Sequence, residues 1–260
     1  MYITLIKNIS SILLLTLFAC TSNNSNKEKI TDETSSTNKE SKKTPLIIEQ
    51  KIDDDIAEFT ADGITLTEIK PSKNNTESSL TLTNTSFKEG INILQFNIEN
   101  NQNYNITTIQ NNYTITTHPS TKIEQEFLSG NNVFLAFLSD ENNLGIKTNN
   151  ATLLKNIVLN DDQLFDETQA HLFYYLPQNN IPILDFCLVN TSLSENGNKV
   201  KVTFNGTTSI IVDKWASYQI DGLSESKNTI RLELIDESGK LIPGPFNDSG
   251  ERTFTSNQNS

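Results

Sequence analysis

The chain has 260 residues, 35% of them hydrophobic, and 32 acidic against 20 basic side chains, giving a formal charge of −12. With a pI near 4.6 and no run of Lys or Arg, it lacks the basic surface that nucleic acid or anionic lipid requires. The composition therefore argues against either as a partner. The length suits one large domain or two ordinary ones.

The first element is a leader. One basic residue, Lys7, precedes an apolar run, 9–18, which closes on Leu17-Phe18-Ala19-Cys20. The run is too short to span about 30 Å of hydrocarbon as a helix. In order and composition it resembles a bacterial lipoprotein signal peptide. The resemblance implies cleavage after Ala19 and diacylation of the Cys20 thiol. Several acyl chains, at about 0.8 kcal/mol per buried methylene, would hold the protein to a membrane. Thr21 after the cysteine favours passage to the outer membrane. Residues 21–45 are almost all Ser, Thr, Asn, Lys, Glu and Asp, with Ile30 the one aliphatic residue before Pro45. Such a stretch cannot bury apolar surface and is expected to be a disordered tether, reaching about 25–30 Å on average as a coil. With Cys20 used for lipid, Cys187 is left alone, so the mature chain has no intramolecular disulfide and its core must hold the fold unaided.

From there to the C-terminus the pattern is that of strands. Residues 63–70 and 79–83 alternate apolar and polar side chains, and 104–109 and 113–117 flank Asn111-Asn112 as a hairpin. Three segments share a signature. Phe87-Lys88-Glu89-Gly90-Ile91-Asn92 runs to Asn100, Phe127-Leu128-Ser129-Gly130-Asn131-Asn132 to Asp140, and Leu223-Ser224-Glu225-Ser226-Lys227-Asn228 to Asp236. Each has an Asn followed eight residues later by Asn or Asp. Between them alternate Leu94, Phe96 and Ile98, then Phe134, Ala136 and Leu138, then Ile230, Leu232 and Leu234. Period-two alternation marks half-buried strands. The closing Asn or Asp is suited to ending the strand through its own side-chain hydrogen bonds. The signature resembles the penultimate strand of immunoglobulin-like or fibronectin-like modules of bacterial surface proteins. Residues 152–159 and 163–171 are the only stretches open to a short helix. Residues 199–204, Asn205-Gly206 and 207–212 carry the strongest hairpin signal in the chain.

Strands every 8–12 residues predict an all-β chain built as β-sandwiches. The expected organisation is a first module over 46–150, a connecting segment over 151–180, and a second module over 181–256. Residues 172–176 are an alternative strand of the second module. The abundant asparagine is read as codon bias and polar loops.

The second half is similar to a group of uncharacterised lipoproteins from Bacteroidota. The residues that carry this are 184–191, 198–202, Trp215, Tyr218, 220–223, 241–247 and 251–253, with 133–139 in the first half. The relatives carry a Tyr-His-Glu run and an Arg-Pro-Lys loop, where this chain has Asp140-Glu141-Asn142-Asn143 and Leu176-Pro177-Gln178. The resemblance implies a fold and an envelope location and no activity.

Chemistry is scarce. His118 and His171 have no second ligand at zinc spacing, and neither a nucleophile elbow nor a phosphate loop is present. Both histidines are read as structural, and Cys187 as a buried hydrophobe. Asp53-Asp54-Asp55 and Asn160-Asp161-Asp162 lack full calcium-loop spacing. No metal or other cofactor is called for. Exposed aromatics can stack on sugars or anchor protein interfaces, which makes Trp215, Tyr218, Tyr174 and Tyr175 the candidate ligand contacts. The expected role is non-catalytic: binding or envelope organisation by a membrane-anchored lipoprotein, with an envelope protein or a glycan as partner. A carbohydrate-binding accessory role is the alternative.

Overall fold

A computed structural model describes residues 56–71, 77–100, 103–176, 182–223 and 227–255. The leader, Cys20, the tether and Asp53-Asp54-Asp55 lie outside the described residues. The described chain is all-β, with one short 3-10 turn at Asn149–Ala151, and all the described residues fall in one compact unit.

The first sandwich holds seven strands: β3 (Ser79–Leu82), β4 (Gly90–Glu99), β5 (Asn105–Gln110), β6 (Thr114–His118), β7 (Lys122–Phe127), β8 (Gly130–Ser139) and β9 (Thr152–Leu159). They make two antiparallel sheets, ordered β3-β4-β7 and β6-β5-β8-β9. Alternation along β4 turns Leu94 and Phe96 inward against Phe127, Phe134, Ala136 and Leu138. The β5–β6 hairpin turns at Asn111 and Asn112, with φ of 51° and 57°. This is the mirror-image turn whose twist matches that of paired strands.

Strands β1 (Glu58–Ala61), β2 (Ile64–Glu68), β11 (Ile183–Leu184) and β15 (Tyr218–Asp221) form one sheet of the second sandwich, ordered β1-β2-β15-β11. Its partner sheet runs β14 (Thr208–Val212), β13 (Lys199–Phe204), β16 (Lys227–Ile235), β17 (Arg252–Thr255). A first module over 46–150 is therefore corrected: Phe59, Ile64 and Leu66 belong to the second core, with Val200, Leu232 and Tyr218. Alternation showed that 63–70 is a strand, but pairing is decided by which sheet edge offers a matching apolar face. Gly222 lets that edge close. Its φ is +82°, and a Cβ there would stand 1.9 Å from the Gly63 carbonyl oxygen.

The connecting segment is corrected as well. Residues 152–159 are not a helix but β9, paired with β8 along its length. Residues 163–171 form turns leading into strand β10 (His171–Tyr174), which pairs with β12 (Phe186–Val189). Residues 172–176 thus begin within the strand that the alternative reading placed there.

The signature residues are clamps. Asn92 Nδ2 donates to the Lys88 and Gly90 carbonyls while its Oδ1 accepts the Lys88 N–H. Asn132 does the same with Leu128 and Gly130. Asp140 Oδ1 accepts the N–H groups of Asn142 and Leu144, and Asp236 Oδ1 those of Ser238 and Lys240. Strands β8 and β16 thus end in the same turn, closed in each half by an isolated bridge from the last strand residue, Ser139 to Gly145 and Ile235 to Leu241. Asparagine also supplies seven of the eight non-glycine positive-φ residues described, from Asn100 to Asn205. Its short amide tolerates the left-handed conformation, so its abundance has a structural use beyond polar loops.

The two sandwiches are joined by a third core. β8 is buried on both faces. Phe134, Ala136 and Leu138 face the first core, and Val133, Leu135 and Phe137 face outward from it. Those outward side chains pack on Phe173, Tyr175 and Cys187, while Leu172, Tyr174, Phe186 and Leu188 on the opposite face of β10 and β12 enter the second core. The β10–β12 pair is a shared middle layer. Each fully buried Leu or Phe there contributes about 1.5–3 kcal/mol, so separating the halves would expose a large apolar area.

Candidate functional site

Asp185 sits between β11 and β12, where the chain leaves one sheet for the other. Its carboxylate is 1% exposed and is surrounded by donors. Oδ2 accepts the Tyr175 hydroxyl at 2.6 Å and the Gly145 N–H at 3.0 Å. Oδ1 accepts the Ser217 hydroxyl at 2.9 Å, the Phe186 N–H at 3.1 Å and the Lys147 ammonium. Lys147 Nζ also donates to the Phe186 carbonyl at 2.9 Å, which takes the Trp215 indole N–H at 3.0 Å. An isolated buried carboxylate would be costly. Here four of the donors come from three other segments: Gly145 and Lys147 after β8, Tyr175 after β10, and Ser217 before β15.

Over this network lies a cleft of about 160 Å³, lined among others by Glu68, Lys70, Asp140, Lys147, Trp215 and Ser217. Glu68 closes one side, its Oε2 accepting the Ala57 N–H at 2.9 Å and pairing with Lys214 at 2.6 Å. Thr148 places a buried hydroxyl in the lining with no partner.

The candidate aromatics separate into two kinds. Tyr174, Tyr175 and Tyr218 are buried, and burial pushes all three phenols up, with the Asp185 charge adding to the effect at Tyr175. Adjacent strand residues point opposite ways, but β10 has a core on each side, so neither Tyr174 nor Tyr175 reaches solvent. Tyr218 donates its hydroxyl to the Lys214 carbonyl at 2.6 Å. Those three are packing residues. Trp215 alone of the four is half-buried and lines the cleft.

Cys187 is fully buried, its thiol pushed up to about 12 chiefly by desolvation. His118 closes β6, with Nε2 3.1 Å from the Thr108 hydroxyl. His171 Nε2 lies 2.7 Å from the Asp166 carbonyl, which makes Nε2 the protonated nitrogen. Its ring stacks on Phe165 at 4.5 Å, and Nδ1 is buried without a partner. Desolvation lowers its pKa. Asp161 and Asp162 are exposed loop residues, and among the described residues no cluster of His, Cys, Asp or Glu is placed to hold a metal ion.

Asp185 and Lys147 were passed over in the sequence, although the signal was there: a carboxylate inside the apolar run 183–189 must be paired if the run is buried. No protein-family model matches the chain, and no curated protein is significantly similar to it. No helix among the described residues is long and apolar enough to cross a membrane.

Proposed function

We propose that this chain is a lipid-anchored envelope lipoprotein that works by binding and not by catalysis. The observation that carries this reading is the state of the ionisable groups around the cleft. Asp185 is occupied by five donors, Lys147 by Asp185 and the Phe186 carbonyl, and Glu68 by Lys214 and the Ala57 N–H. Acid–base and nucleophilic catalysis need a poised group with room for a reacting atom, and these groups are held as a frame. The sequence supports the envelope location through Leu17-Phe18-Ala19-Cys20 and the polar stretch after it. Mass spectrometry of protein made in the native host tests the anchor: an N-terminal diacylated Cys20 is expected, and a bare thiol or an intact leader would refute it.

A second reading, glycan capture, is favoured by Trp215. A half-buried indole in a cleft that the Asp140 carboxylate also lines is suited to a sugar ring, with stacking on one side and hydrogen bonding on the other. The cleft has room for one small residue of a glycan. Retention on a glycan array that disappears in Trp215→Ala would support it. Retention unchanged by that substitution, in a variant with native thermal stability, would reject the cleft as the site.

A further inference from the structure

Four loops meet at one end of the first sandwich, and three of them expose large apolar side chains: Tyr113 at 93%, Leu128 at 60% and Leu164 at 80%. They are held together by three consecutive residues of β8. The Leu164 N–H donates to Asn131 Oδ1 at 3.0 Å and the Leu128 N–H to Asn132 Oδ1 at 3.0 Å. Val133 exchanges hydrogen bonds with Asn111 at 2.8 Å, fixing the turn that carries Tyr113. The fourth loop joins them through Asn160, whose Nδ2 reaches both Glu89 and Ser129 at 3.4 Å. Ile91, 61% exposed, continues the apolar surface onto the outer face of β4, opposite Glu126 of β7.

Scattered single apolar residues on a surface need no explanation, but several gathered at one end mark an interface. These loops are also pre-organised by side-chain clamps, which lowers the ordering cost of association. Carboxylates outnumber cations around the patch: Glu89, Glu126, Asp161 and Asp162 against Lys88, with Asp161 lying 3.7 Å from where a Gly130 Cβ would stand. That rim repels anionic lipid headgroups, and it repels a second copy of this acidic chain.

We infer that the β5–β6, β7–β8 and β9–β10 loops dock a different protein, one whose apolar surface is ringed by Lys or Arg. The patch shares no residue with the cleft, so the two sites fail or succeed separately.

The full chain, made in its native host with benzoylphenylalanine replacing Tyr113 or Leu164, tests this. A third form carries the photo-crosslinker at exposed Glu195, in the other sandwich. The inference expects one protein adduct common to positions 113 and 164 and absent at 195, mapped to a peptide rich in Lys or Arg. With that protein purified, affinity should fall at least tenfold in Leu128→Glu/Leu164→Glu and at least tenfold between 50 and 300 mM salt. Trp215 fluorescence checks that the variant keeps its fold. The inference is overturned by no adduct, by adducts to lipid or to another copy of this chain, or by affinity indifferent to the double variant and to salt.

Discussion

Replacing Asp185 with Ala tests the network at the strand switch. In the substituted chain the Lys147 ammonium keeps only the Phe186 carbonyl, while the Tyr175 hydroxyl, the Ser217 hydroxyl and the Gly145 N–H lose their acceptor. Stranding one partner of a buried pair costs about 3–5 kcal/mol, a large share of the 5–15 kcal/mol typical of a folded domain. We expect a loss of about 4 kcal/mol. Urea unfolding followed by Trp215 fluorescence measures it, because that residue is the chain's single tryptophan and bonds to the network through Phe186. The double variant Asp185→Ala/Lys147→Met removes the stranded charge. It should be more stable than the sum of its single variants predicts, by about 2 kcal/mol. A single-variant cost below about 1 kcal/mol, or strict additivity in the double variant, would refute the argument that the ion pair holds the junction.

Three further outcomes follow from particular contacts. Because His171 is held neutral with its pKa below the ordinary 6.5, the unfolded chain takes up a proton first as pH falls. Stability should be level above pH 6.5 and decline below it, by at most about 1.4 kcal/mol per pH unit. His118 is lowered by burial too and adds to the same decline, so His171→Gln should reduce the slope between pH 5 and 6.5 without abolishing it; an unchanged slope would contradict the assignment. Gly222→Ala puts a methyl group against the Gly63 carbonyl in a left-handed backbone, and should cost about 3 kcal/mol or more in thermal or urea unfolding. Asn132→Ala removes hydrogen bonds to Leu128, Gly130, Ile157 and Gln110. It should cost about 2–3 kcal/mol, more than Asn92→Ala, whose clamp reaches only Lys88 and Gly90.

The strands were legible where one face is wet. β4, β13 and β16 alternate cleanly, and Asn111-Asn112 and Asn205-Gly206 turn where their chemistry requires. Where both faces are dry, β8 was still legible as a strand, but its second buried face was not. In β8 the outward residues Val133, Leu135 and Phe137 are as apolar as the inward ones, and that unbroken run was itself the sign of a second core. β9 misleads for a related reason: Leu153 and Leu159 face one core and Leu154 another, so the apolar spacing imitates a helix. Pairing of β2 with β15, across about 150 residues of chain, depends on sheet edges that local pattern does not encode. The cleft combines residues from three separate segments. Of its parts only Trp215 carried a local signal, as the lone tryptophan.

The central structural claim is that the third core makes one cooperative body of two sandwiches, able to present cleft and loops in fixed relation. Differential scanning calorimetry of residues 46–260 tests it most directly. A single endotherm whose calorimetric and van't Hoff enthalpies agree is the expected result. Two resolved endotherms, one of them unmoved by Phe137→Ala, would contradict it.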